Sequence, residues 1–313
     1  MTGNEAIISR RLSKVYRGGR GVFKLDFAVR EGEIFGFLGP NGAGKTTTIR
    51  TLMGMLRPTG GTISVFGLDC WRESPSVKAR VGFVSADPRL YEKMTGAAFL
   101  EFMAGFRSHG TLERARGLAA EFDLDLRPKI RHLSRGNRQK LLLVQGLMHD
   151  APLLILDEAS GGLDPLGQEA FLAYLEAERS RGKTVFLSSH NLAEVEQVAD
   201  RVGIIRDGRL VAIEDIDKLR ALRARKMEVR LERPVGDGFF DGLPGVRLAG
   251  VKDGGRLVEL AVQGNPRELL ARLGVAPVVD VVFPPADLES IFMHYYREDA
   301  ESVPSDLVEV AGA

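Results

Sequence analysis

Two short stretches of this 313-residue chain combine residue types suited to phosphate chemistry. GPNGAGKT (39–46) matches the pattern G-x-x-x-x-G-K-[ST], with an apolar, strand-like run before it, EIFGFLG (33–39), and a helical pattern after it, TTTIRTLMGML. Backbone N–H groups of such a loop turn toward phosphate oxygens only where side chains stay clear, which Gly42 and Gly44 allow. Gly39, Asn41 and Ala43 complete the expected binding loop. A helix beginning near Lys45 adds the positive end of its dipole. Lys45 is expected to reach the β- and γ-phosphates of a nucleotide, Thr46 to offer its hydroxyl to Mg²⁺, and Thr47 to cap the phosphate nest. The second stretch, LLILDE (153–158), is an apolar strand ending in two carboxylates. Asp157 at the strand end suits Mg²⁺, usually through water, and Glu158 one residue later suits an attacking water. By itself that strand would read as ordinary core followed by a solvated acidic turn. Beside a phosphate loop it reads as the hydrolytic half of one site.

Positioning these residues requires a sheet whose strand ends gather in one place. Short apolar runs alternate with longer helical patterns, which predicts an α/β fold with a mainly parallel sheet. TISVFG, RVGFVS, PLLILDE, KTVFLSS and RVGIIRDGRLV supply further strands. Residues 89–150 carry helical periodicity without strand signals, as in TGAAFLEFMAGF and RQKLLLVQGLMH, and read as a helical subdomain inserted into the core. The first helix must stop near Pro58. After about residue 216 the pattern changes to a small α+β appendage over 216–300, with KMEVRLE and RLVELAVQ as strands and PRELLARL as helix, then a loosely ordered tail over 301–313.

Composition narrows the function classes. Hydrophobic residues make up 44% and charged residues 27%, an ordinary globular balance. Lys plus Arg (43) against Asp plus Glu (42) leaves a formal charge of +1, which gives no support to a nucleic-acid partner. One cysteine, Cys70, excludes an intrachain disulfide and a Cys-based metal cage. No apolar run reaches the ~18–20 residues of a membrane span, and the N-terminus lacks the apolar stretch of a secretory signal, so a cytoplasmic protein is expected.

LSRGNRQK (133–140) lies just before the acidic strand, at the start of a helix, and resembles the signature sequence of the ATP-binding cassette (ABC) family, usually LSGGQ. Ser134 and Gly136 match; Arg135 and Asn137 depart from the usual Gly and Gln. The resemblance implies that this helix start contacts the γ-phosphate of ATP held by the opposite subunit of a head-to-tail dimer. It extends to SGGLD (160–164), where Asp164 would couple the two sites, to His190 after KTVFLSS as the switch histidine and to Tyr16 as the aromatic that stacks on adenine. Taken alone, His190 would read as a neutral hydrogen-bonding residue and Tyr16 as an edge-strand tyrosine. The family normally carries Gln or Glu after the strand RVGFVS, to touch Mg²⁺ and relay nucleotide state; here that register holds Ala86, followed by Asp87. Either Asp87 substitutes, or the metal relies on Thr46, Asp157, phosphate oxygens and water.

The resemblance covers residues 6–215, and more weakly reaches about 297, where DLESIFMHYYRE is similar to the close of ATPase subunits of the drug-resistance and antibiotic-export type. It implies an ATPase using ATP and Mg²⁺, pairing with a second copy or a paralogous subunit. It also implies a separate membrane permease docked near Ala86 and Asp87, holding the chain at the inner face of the cell membrane. Two alternatives stand beside an exporter ATPase. A soluble ABC ATPase acting on nucleic acid or ribosomes lacks support, since there is no sustained heptad run and only one phosphate loop. A regulatory nucleotide-binding subunit without turnover is motivated by Ala86 and Arg135.

Overall fold

The computed structural model describes residues 4–86, 88–106, 111–222, 225–236 and 238–284. Asp87, the closing segment 287–298 and the tail 301–313 lie outside the described residues. The chain divides into two compact units, Met1–Glu214 and Asp215–Ala313.

The first unit opens with an antiparallel hairpin of β1 (Glu5–Val15) and β2 (Gly21–Arg30), followed by β3 (Ile34–Leu38). All five residues of β3 are buried, as its unbroken apolar sequence requires of a strand covered on both faces. Helix α1 (Lys45–Leu52) follows the glycine-rich loop. It ends well before Pro58, because Gly54 adopts φ +60, a left-handed stop next to the cap, and a Cβ there would lie 2.2 Å from the Cys70 carbonyl oxygen. Strands β4 (Gly60–Val65) and β5 (Leu68–Asp69) complete a four-stranded sheet ordered β2-β1-β4-β5.

Helix α2 (Ser74–Ala79) and β6 (Val81–Val84) lead into the predominantly helical stretch, α3 (Gly96–Ala104), α4 (Thr111–Glu121) and α5 (Arg135–Leu147). Thr95 caps α3 by accepting from the Ala98 N–H, and Ser134 caps α5 by accepting from the Asn137 N–H. The chain then alternates β7 (Leu153–Asp157), α6 (Pro165–Ser180), β8 (Thr184–Ser189), α7 (Leu192–Val198), β9 (Arg201–Arg206) and β10 (Arg209–Asp215). The resulting six-stranded sheet is ordered β10-β9-β3-β8-β7-β6, and β9, β3, β8, β7 and β6 run parallel. Between the two sheets Phe27, Phe35, Phe37 and Phe186 pack as one aromatic cluster, with ring centroids 5.3–6.1 Å apart. Among the described residues no helix is long and apolar enough to cross a membrane.

A charged junction fastens α4 to α6. The fully buried Glu178 carboxylate accepts from Arg114 Nη2 at 3.1 Å and Arg181 Nη1 at 2.6 Å, and Lys183 pairs with it as well. Arg114 also donates to the Tyr174 hydroxyl and the Leu147 carbonyl. Burial by itself would raise the Glu178 pKa, but Lys183, Arg181 and Arg114 outweigh it and hold it below the usual carboxylate range. A carboxylate depressed in this way adds stability at neutral pH and loses it as pH falls through its folded-state value. Glu178→Ala is expected to lower unfolding stability by about 3 kcal/mol in urea at pH 7, the lower end for a broken buried pair, because the cations left behind are partly exposed. The deficit relative to the wild type should shrink in acid, where the wild-type carboxylate is protonated as well.

The second unit holds α8 (Ile216–Leu222), β11 (Arg225–Leu231), β12 (Val246–Lys252), β13 (Leu257–Val262), α9 (Arg267–Leu273) and β14 (Val278–Val282). Its antiparallel sheet is ordered β12-β13-β11-β14, and Met227, Val229, Leu260 and Val262 pack with Leu269 and Leu273 of α9. Among its described residues the unit thus joins a four-stranded antiparallel sheet to the helices α8 and α9.

Candidate functional site

Parallel register brings the motifs together. β8 lies between β3 and β7, pairing Leu38 with Ser189 and Asp157 with Ser188. The phosphate loop after β3, His190 after β8 and the Asp157–Glu158 pair ending β7 therefore share the carboxyl edge of three neighbouring strands, the usual ligand side of such sheets.

The loop is held open by its glycines. Gly44 caps α1 at φ +112, and a Cβ there would lie 2.6 Å from Val22 Cγ1, so the β1–β2 hairpin packs directly on the loop. Gly42 sits at φ +83 with open space around it, leaving its amide side free for a ligand. Asn41 lies at the exposed tip of the loop, while Ala43 is buried against the core. A Cβ on Gly39 would lie 2.4 Å from the Ile205 carbonyl oxygen, so only glycine fits there. Thr47, in the first turn of α1, has a carbonyl that accepts from Thr51 Oγ1.

Lys45 is 6% exposed and folds back on its own loop, donating to the Gly39 and Pro40 carbonyls at 2.6 and 3.1 Å. Its Nζ also lies 3.1 Å from Glu158 Oε1, a charge contact without an aligned hydrogen bond. The other Glu158 oxygen is 2.5 Å from His190 Nδ1. Glu158 adopts φ +53, a left-handed conformation costing a non-glycine residue about 1–3 kcal/mol. That turn lets the carboxylate face both the lysine and the histidine. Asp157 is 1% exposed and accepts from Ser188 Oγ at 2.7 Å and from the Thr46 hydroxyl. Burial raises its pKa, against the lowering effect of those two hydroxyls. Thr46 and Asp157 thus present neighbouring hard oxygens, a donor set that fits Mg²⁺ completed by phosphate oxygens and water.

The remaining predicted residues lie around this edge. Ser134 and Gly136 begin α5, and a Cβ on Gly136 would lie 3.2 Å from the Gly162 carbonyl oxygen. Asp164 caps α6, accepting from the Gly167 N–H at 2.7 Å. Tyr16, 42% exposed, follows β1 at the hairpin turn, with Lys14 Nζ 5.5 Å from its ring centre.

The sequence profile of the ABC transporter family matches residues 22–161. A bacitracin transport ATP-binding protein of Bacillus licheniformis is 34% identical over 224 residues, covering 70% of this chain and 73% of that protein. The chain belongs to the ABC transporter family. A fluoroquinolones export ATP-binding protein of Mycobacterium tuberculosis is 36% identical over 215 residues, covering 68% of this chain and 71% of its own length. Among solved structures, an ATP-binding subunit of an ABC transporter superposes with a TM-score of 0.64 at 31% identity, over 69% of this chain and 92% of that one. The first unit is thus an ABC ATPase cassette on a P-loop core, and its relatives are ATP-binding subunits of export-type systems.

Within this cassette, Ala86 is exposed and lines a cleft of about 570 Å³ together with Arg89, Arg135, Arg138 and Gln139. Three side chains join the site without a sequence signal. Ser188 orients Asp157 and places its hydroxyl 3.3 Å from the Glu158 N–H. Gln139 donates to the Ala159 carbonyl at 2.6 Å, fastening α5 to the loop after β7. Glu194, four residues after His190, is buried and accepts from the Ser189 hydroxyl at 2.6 Å. Of the other histidines, His149 is buried with Nε2 2.7 Å from the Val81 carbonyl oxygen, and His132 lies beside Arg131; His109 and His294 are outside the described residues.

Proposed function

We propose that the chain powers an exporter: residues 1–215 bind and hydrolyse ATP as a head-to-tail dimer, and residues 216–300 form an accessory domain. The membrane permease would be a separate protein that holds the cassette at the inner face of the cell membrane. The observation that carries the reading is Glu158, held between His190 and Lys45 beside the Thr46–Asp157 pair. In that arrangement the loop amides and Lys45 bind the β- and γ-phosphates, and His190 orients the Glu158 carboxylate toward the attacking water. Thr46 and Asp157 would hold Mg²⁺, whose positive charge would offset the negative charge of the phosphates. Ser134 and Gly136 of a second copy would meet the γ-phosphate from the opposite side, and Asp164 would join the two sites. Export, as against another transport task, is supported by relatives named for bacitracin and fluoroquinolone transport.

Tyr16 is the adenine platform in this reading. Tyr16→Ala is expected to weaken equilibrium ATP binding about tenfold, the worth of one base–aromatic stack, with little change in kcat. An unchanged dissociation constant would remove Tyr16 from the site.

The experiment that tests the function is affinity purification of Glu158→Gln with Mg²⁺ and ATP from detergent-solubilised native membranes. A stoichiometric multi-span membrane protein is the expected partner. Recovery of ribosomes, nucleic acid or nothing would overturn the exporter reading.

A further inference from the structure

Glu194 lies in the first turn of α7, four residues after His190, and is 7% exposed. Its sequence context, Asn191-x-x-Glu194, is that of a capping box, in which the glutamate would reach back to the cap residue's N–H. The geometry differs. Asn191 caps α7 through its own side chain, accepting from the Ala193 N–H, and its backbone N–H donates to Ser189 Oγ at 2.9 Å. Glu194 Oε2 instead accepts from the Ser189 hydroxyl at 2.6 Å, and Oε1 is buried without a hydrogen-bond partner. The Ser160 hydroxyl faces the same carboxylate from the loop that runs to Asp164. Ser160, Asn191 and Glu194 line a small cavity of about 140 Å³ together with Gln168 and Leu172 of α6 and Gln197 of α7.

These contacts close a ring. Glu158 pairs with His190; the backbone runs from His190 to Ser189; Ser189 bonds Glu194; Glu194 faces Ser160; and the backbone returns through Ala159 to Glu158. We infer that Glu194 is a positioning residue for ATP hydrolysis, tying the 159–164 loop to the switch strand so that movement of the Asp164 loop sets the His190–Glu158 contact. Its buried carboxylate is anchored firmly on the switch side through Ser189. Its Oε1 has no hydrogen-bond partner, and the Ser160 hydroxyl is the group of the 159–164 loop that faces the carboxylate, so that contact is the one free to tighten or release. A buried acceptor with one open valence favours the state that fills it. The loop carrying Asp164 would thereby bias the hydrolytic pair, which a plain helix cap would not do. The inference rests on His190 and Glu158 acting as the hydrolytic pair, and Glu158→Gln, measured alongside, tests that pairing separately.

The test is steady-state ATPase of the full chain with Mg²⁺-ATP, together with equilibrium ATP binding, for Glu194→Ala, Glu194→Gln, Ser160→Ala and the double variant of Glu194→Ala with Ser160→Ala. Glu194→Ala is expected to lower kcat about tenfold, the rate equivalent of one hydrogen bond, with ATP affinity within about twofold of the wild type. Glu194→Gln keeps an acceptor for the Ser189 hydroxyl and offers an amide N–H that the Ser160 oxygen can accept, so it should recover most of the rate. Ser160→Ala should also lower kcat, and the double variant should be no slower than Glu194→Ala, because both changes break the same link. Glu194→Asp, which keeps the charge but shortens the reach, replaces Glu194→Ala in the cycle if the alanine variant does not fold. Multiplying losses in the double variant, or parallel losses of kcat and ATP affinity, would overturn the inference.

Discussion

Glu158→Gln is expected to lower kcat for ATP hydrolysis about a thousandfold while leaving ATP affinity within a few-fold of the wild type. The amide keeps the size of the side chain and can still meet His190 Nδ1, so the strained turn at φ +53 and the β7–β8 edge should remain in place. What disappears is the negative charge that polarises water and pairs with Lys45 at 3.1 Å. Losing that charge also frees the Lys45 ammonium for the γ-phosphate, so the variant should accumulate in the ATP-bound state. Single-turnover hydrolysis with radiolabelled ATP measures the chemical step, and a binding isotherm measures affinity. An unchanged rate would exclude Glu158 as the base and favour a regulatory nucleotide-binding subunit.

Lys45→Ala should act earlier, reducing kcat/KM about a thousandfold through loss of two charge-assisted contacts to the phosphates. Lys45 is almost fully buried, donates to the Gly39 and Pro40 carbonyls and lies 3.1 Å from Glu158, so its ammonium is held at the loop that would take the phosphates. In contrast to Glu158→Gln, the lysine variant should lose equilibrium ATP binding together with turnover. A titration in which affinity survives and only kcat falls would place the lysine in transition-state stabilisation alone.

These two residues were legible because their chemistry is local. A phosphate nest needs glycines at fixed offsets and a lysine at the following helix start, and eight consecutive letters carry that requirement at residues 39–46. Continuous apolar runs likewise mark β3, β7 and β8, since strands buried on both faces tolerate little else. The β1–β2 hairpin is harder to read: its alternation is broken by register shifts near Ser9–Lys14, and its placement against Gly44 depends on a contact between Val22 and a loop twenty residues away. The end of α1 at Leu52 shows the same limit, because the steric crowding at Gly54 comes from Cys70 and Ser74. Asn191-x-x-Glu194 reads locally as a capping box, yet the carboxylate turns to Ser189 once β8 and α7 are packed.

What the chain determined by itself was the kind of chemistry and the family: the phosphate loop, the acidic strand end and the Ser134–Gly136 helix start are each contained in a few adjacent residues. Tertiary structure decided which of them meet. Only parallel register across β3, β8 and β7 sets His190 against Glu158 and Glu158 against Lys45, residues separated by 32 and 113 positions in the sequence. Backbone hydrogen bonds and burial on both faces fix that register, and short-range sequence patterns record neither the order of strands in a sheet nor the side chains that reach across it.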